Sequence, residues 1–160
     1  MSSTELSTEI KDTKEAFQLI KLSPEQINDQ WIAVWDAMLA SLPPTADVPG
    51  EVEKSETLKA LLEGRLDCWF LMKGEEVWSV ATTCFTKDIV SKDKSMLIYS
   101  FLTYKPITND LWFKIVLNIS KYAKQNGCSS ITAYSEVQRI IDVIDMLGGK
   151  SNFRFLRLEV

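Results

Sequence analysis

The sequence predicts an α/β fold arranged as one domain. Three observations carry that expectation. Apolar residues recur at helical spacing in some stretches and form short aromatic or β-branched runs in others. A strong helix start is written at Ser23-Pro24-Glu25-Gln26. In residues 96–126 an apolar run stops at Pro106, turns, and enters a long amphipathic stretch, which reads as strand, turn and helix. With 160 residues, the chain suffices for one domain with a real core and is short for two.

Residues 1–15 are mostly Ser, Thr, Glu and Lys, with Leu6 and Ile10 apolar, too polar to bury alone. They read as an N-terminal arm, with the domain occupying residues 16–160. A short strand is expected over residues 16–22 (AFQLIKL). Ser23 as N-cap, Pro24 at the first helical position and Gln26 at the third then open a helix running to about Ser41, with Ile27, Trp31, Val34, Trp35, Met38 and Leu42 at helical spacing. Pro43-Pro44 ends it. A second helix is expected after Ser55, with Leu58, Leu61 and Leu62 on one side and Gly64 as its stop.

Three strands follow. Residues 67–73 (DCWFLMK) are apolar on both faces, as a central strand requires, and Gly74-Glu75 turns them into residues 76–86 (EVWSVATTCFT). The charged segment 87–94 reads as a solvent loop, and residues 96–104 form the third strand. The next helix carries Trp112, Ile115, Val116, Ile119, Tyr122 and Ala123 at helical spacing and stops at Gly127. A strand over 129–134, a helix over 137–147 ended by Gly148-Gly149, and a closing strand over 152–160 (NFRFLRLEV) complete the order. The alternation in that last segment slips between Phe155 and Leu156, as a bulge would make it.

Composition narrows the function. The chain is 46% hydrophobic and 25% charged with net charge -4, so nothing favours nucleic acid or an anionic membrane. No apolar run approaches a membrane span and the N-terminal residues lack a secretory pattern, so a soluble, cytoplasmic protein is expected. Cys68, Cys84 and Cys128 are odd in number and set in apolar segments, which suits small core residues. The absence of histidine removes the commonest metal ligand and the commonest general base, so no metal site is expected. Five tryptophans could mark a partner surface, but all lie inside predicted elements and most are in register with core residues.

The order strand, two helices, three strands, helix, strand, helix, strand resembles that of the GNAT N-acetyltransferase superfamily, over about residues 16–160. KYAKQNGCSSITAY and IDMLGGK carry the resemblance locally. It implies a mixed central β-sheet flanked by helices. It also implies an acetyl-CoA site in the loop after the fourth family strand, where the family shows a pattern like Arg/Gln-x-x-Gly-x-Gly/Ala. That pattern falls on Lys105-Pro106-Ile107-Thr108-Asn109-Asp110, so Lys105, Ile107, Thr108 and Asn109 become the cofactor-binding candidates. Thr108 and Asp110 stand where the glycines would be. A branched side chain crowds the approach of a pyrophosphate, Pro106 offers no N–H, and Asp110 satisfies the same helix end that a phosphate would use. Two like charges about 4 Å apart repel by roughly 1 kcal/mol in water and about 4 kcal/mol at a surface-like dielectric.

The resemblance also implies a tyrosine acid four residues before the glycine of the last-helix segment, where this chain has Ile144, and a glutamate base near the fourth family strand, where residues 96–104 hold no carboxylate. Tyr99, Tyr104 and Glu136 are the substitute catalytic candidates, each with a packing or capping role as its alternative.

These readings favour a degenerate GNAT-like domain that has lost acetyl transfer and needs no cofactor. It would act as an interaction or assembly module through its N-terminal arm and sheet edges, similar to small phage proteins carried in the virion or the host cytoplasm. Two alternatives stay open: an active acetyl-CoA-dependent N-acetyltransferase with a variant loop, and a CoA or nucleotide binder without catalysis.

Overall fold

The computed structural model describes residues 7–12, 15–135 and 138–160. Six strands form one sheet in the order β1-β2-β3-β4-β5-β6: Ser7–Asp12, Glu15–Lys21, Asp67–Lys73, Glu76–Lys87, Lys94–Thr103 and Ser130–Ala133. All neighbours are antiparallel except β5 and β6, which run parallel because α4 (Asn109–Gln125) crosses between them. The mixed sheet flanked by helices is the architecture expected from the sequence.

The sheet separates two apolar layers. Along β3, Cys68 and Phe70 face α1 (Pro24–Asp29), α2 (Trp31–Ala40) and α3 (Glu51–Leu62), while Trp69 and Leu71 face α4. This explains a strand that is apolar on both faces. Trp35, Trp69 and Trp112 are buried, and Trp31 and Trp78 pack at the margins of the two layers. Tyr122 of α4 donates its hydroxyl to Asp67 Oδ2 at 3.2 Å, and Lys21 Nζ lies 3.5 Å from Asp67 Oδ1.

Several expectations are corrected. Residues 7–12 of the N-terminal segment form a strand of the sheet, with Ser7 opposite Ile20 and Asp12 opposite Glu15. An edge strand takes its order from the backbone ladder as well as from side chains, so polarity alone did not exclude it. The helix expected from Pro24 to Ser41 is broken at Gln30, whose φ of -107° and ψ of 12° leave the helical region. The preceding Asn28 and Asp29 are weak helix formers. The start of α3 lies at Glu51 and not after Ser55, because Glu53 Oε2 accepts from the Gly50 N–H at 3.1 Å and closes the first turn. Residues 152–160 form no strand. Their pattern is strand-like, but no described strand pairs with them.

α4 ends on Gly127 at φ +78°, as the sequence requires. No described helix is long and apolar enough to cross a membrane.

Candidate functional site

β5 and β6 pair only from Ser95 opposite Ser130 to Ile98 opposite Ala133. Beyond that point β5 continues to Thr103 on β4 alone, so its other edge has no strand beside it among the described residues. The parting coincides with a bulge: Thr83 pairs with Ile98 and Thr82 with Ser100, leaving Tyr99 without an opposite residue. Tyr99 and Leu102 therefore both pack toward α1–α3, while Phe101 packs toward α4 on Trp112, ring centroids 4.8 Å apart.

The chain then turns into α4. The Tyr104 N–H donates to the Trp78 carbonyl at 2.9 Å, holding the turn against β4. Lys105 is directed away from the helix start. Its Nζ lies 2.5 Å from Glu76 Oε1 and 5.7 Å from the centre of the Trp78 ring, which Lys73 also approaches, at 5.0 Å. The hydrogen bond from Lys105 holds the Glu76 carboxyl below its ordinary value of 4.5.

Ile107 is 3% exposed and belongs to the α4-side core. Thr108 is the N-cap, with its Oγ1 accepting from the Leu111 N–H at 3.2 Å and its carbonyl accepting from the Trp112 N–H at 2.9 Å. Asn109 opens the helix, and Asp110 places a carboxylate in its first turn. These residues fit a pyrophosphate poorly: the Thr108 hydroxyl takes the Leu111 amide, Asp110 places a carboxylate in the first turn, and Lys105 is paired with Glu76.

The candidate catalytic side chains do not gather into one site. Tyr99 is half-buried, and burial raises its hydroxyl above the usual 10.0. Tyr104 is 52% exposed and also raised, by burial first and then by Asp36 and Cys68. A raised phenol keeps its proton, which suits an acid and not a base. Glu136 lies outside the described residues. At Ile144 no proton can be held, and the side chain is pressed on Gly149, where an added Cβ would meet Ile144 Cγ2 at 2.5 Å. Among the described residues no three Cys, Asp or Glu side chains come together as a metal centre needs.

Glu76 and Trp78 are the site residues that sequence reasoning missed. The hairpin at Gly74-Glu75 places them at the start of β4, but their meeting with Lys105 depends on the β4–β5 register across nearly thirty residues.

No protein-family model matches the sequence, and no curated protein matches it. Solved structures do match. A probable acetyltransferase superposes with a TM-score of 0.65 at 9% identity, over 89% of this chain and 97% of that one. AAC(6')-Iy in complex with the bisubstrate analogue CoA-S-monomethyl-acetylneamine gives 0.66 at 10% identity, over 90% and 97%. A predicted acetyltransferase with acetyl-CoA from Clostridium acetobutylicum gives 0.65 at 14% identity, over 89% and 96%.

The fold is that of the GNAT acetyltransferases. At these identities the likeness is one of architecture. Within the GNAT fold, the turn after β5 and the start of α4 are where the sequence resemblance put the cofactor loop.

Proposed function

We propose that this chain is a GNAT-fold interaction module that has lost acetyl transfer. The observation that supports it is the satisfied start of α4: Thr108 caps Leu111, Asp110 supplies the negative charge, and Lys105 is held by Glu76. A helix end with one amide capped and a carboxylate in its first turn has less to offer a phosphate. Ile144 adds a second reason, since it leaves no proton for a departing thiolate. The phage attribution, with a place in the virion or the host cytoplasm, belongs to the same proposal, and capsid or portal genes beside its gene would support it.

Calorimetric and thermal-shift titration with acetyl-CoA tests the loss of function. A ligand at about 100 times its dissociation constant stabilises a fold by about 2.7 kcal/mol. No shift at millimolar acetyl-CoA is expected. A shift with acetylated product would instead establish an N-acetyltransferase acting on a small amine or a protein amino group, and a shift without product a CoA binder. One observation favours those readings: the edge of β5 left without a strand after Ile98 offers backbone groups to an extended ligand.

A further inference from the structure

We propose that the cavity between the sheet and α4 is a binding site for a small uncharged molecule with one hydrogen-bonding end and a short apolar tail, of which a straight-chain alcohol is the simplest case. Ser79 is the residue that points to a ligand. It lines the cavity, it is 3% exposed, and its hydroxyl meets no hydrogen-bond partner among the described residues. Buried hydroxyls nearly always have a partner, so one left without calls for an explanation. Ser79 lies mid-sheet, opposite Leu71 of β3 and Thr103 of β5, where the backbone groups beside it are engaged in the two ladders.

The space beside that hydroxyl suits an elongated guest. Ser79, Ala81 and Thr83 stand on one face of β4, and all three line the cavity. From the first to the last of them the strand rises about 13 Å. Ala81, in the middle, carries only a methyl group and keeps the groove open. Trp112, Ile115 and Ile119 of α4 close it from the other side. At the far end the Thr83 hydroxyl accepts from the Trp69 indole N–H at 3.0 Å, so the polar groups there answer each other and the unanswered one is at the Ser79 end.

Water is a poor occupant of this groove. Its volume is about 50 Å³, room for a few water-sized groups, since one water needs about 10–15 Å³. A buried water makes about three hydrogen bonds, whereas these walls offer one unpartnered hydroxyl among apolar side chains. A molecule with a single polar end satisfies Ser79 and fills the rest with methylene groups, which restore the dispersion contacts that an empty groove lacks. No carboxylate, ammonium or guanidinium lines the space, so an ion would lose its hydration with nothing in exchange. A chain of about four carbons ending in a hydroxyl matches both the size and the polarity. This site is separate from the turn before α4 and does not depend on whether acetyl-CoA binds.

The test is a titration of the full chain with 1-butanol at low millimolar concentration, followed by the methyl resonances of its isoleucines. Saturable shifts are expected at Ile98, Ile115 and Ile119, which line the cavity, and none at Ile27 in the layer across the sheet. Ser79→Ala keeps the cavity and removes the hydrogen bond, so it should bind at least about fivefold more weakly. Ala81→Leu fills the middle of the groove and should abolish the saturable shifts, and if it does not fold, Ser79→Ala still decides. Shifts that grow without saturating, shifts that reach Ile27 equally, or an unchanged affinity in Ser79→Ala overturn the proposal. The acetyl-CoA titration is read separately, and neither of its results alters these.

Discussion

Lys105 and Glu76 meet at 2.5 Å across the ends of β5 and β4, beside the Trp78 indole. The cation that the GNAT resemblance assigns to a pyrophosphate is thus already engaged. Glu76→Gln should release Lys105 without unfolding the chain, because both side chains are solvent-exposed. Acetyl-CoA binding should remain undetectable by calorimetry in that single variant, since Thr108 and Asp110 still close the helix start. Adding Thr108→Gly and Asp110→Gly should bring a measurable affinity. A single variant that binds as well as the triple one would show that the lysine alone is the block.

Thr108 carries stability as well as occlusion. Losing its hydroxyl leaves the Leu111 N–H without its capping acceptor. Thr108→Ala should cost about 1 kcal/mol and Thr108→Gly only a few tenths. Urea denaturation with an unchanged m-value measures both.

Ser79 predicts the opposite sign. It is 3% exposed, its hydroxyl has no hydrogen-bond partner among the described residues, and it borders an apolar cavity of about 50 Å³ between the sheet and α4. An unsatisfied buried hydroxyl costs roughly 1–3 kcal/mol, so Ser79→Ala should raise the urea midpoint. A lower midpoint would mean that the hydroxyl has a partner in solution.

Cys68 sets an alkaline limit. Burial pushes its thiol from 9.0 up to about 12, with the Asp67 charge adding to the effect. The folded chain keeps a proton that the unfolded chain releases above pH 9, so this contribution to stability is complete below pH 9 and is lost as pH rises toward 12. The slope should approach about 1.4 kcal/mol per pH unit for one group. Tyr122, raised by burial and by Asp67, acts in the same direction above its ordinary 10.0. Urea midpoints between pH 8 and 10.5 measure the slope, and Cys68→Ala should reduce it. Native Cys68 should also resist a thiol reagent until the chain unfolds.

Most of the architecture was legible because it is written locally. Ser23, Pro24 and Gln26 start α1 through a capping box that forms as read, with the Ser23 N–H donating to Gln26 Oε1 at 2.8 Å. The double-faced β3, the stop at Gly127 and the cap at Thr108 likewise need only neighbours within a few residues. The candidate site was legible in part: Thr108 and Asp110 were recognisable as groups that answer a helix end, while the sequestering of Lys105 by Glu76 was not.

What the sequence determined by itself is the α/β class and the local signals that start and stop the central elements, since periodicity, caps and turns act over spans shorter than one helix. The tertiary structure decided what depends on distant partners. It recruited the polar residues 7–12 as an edge strand, because β2 offered them a backbone ladder. It left residues 152–160 unpaired despite their strand pattern, because a strand exists only where an edge lies alongside it. It turned Lys105 from the helix start to Glu76, because sheet register, and not sequence separation, sets which charges meet.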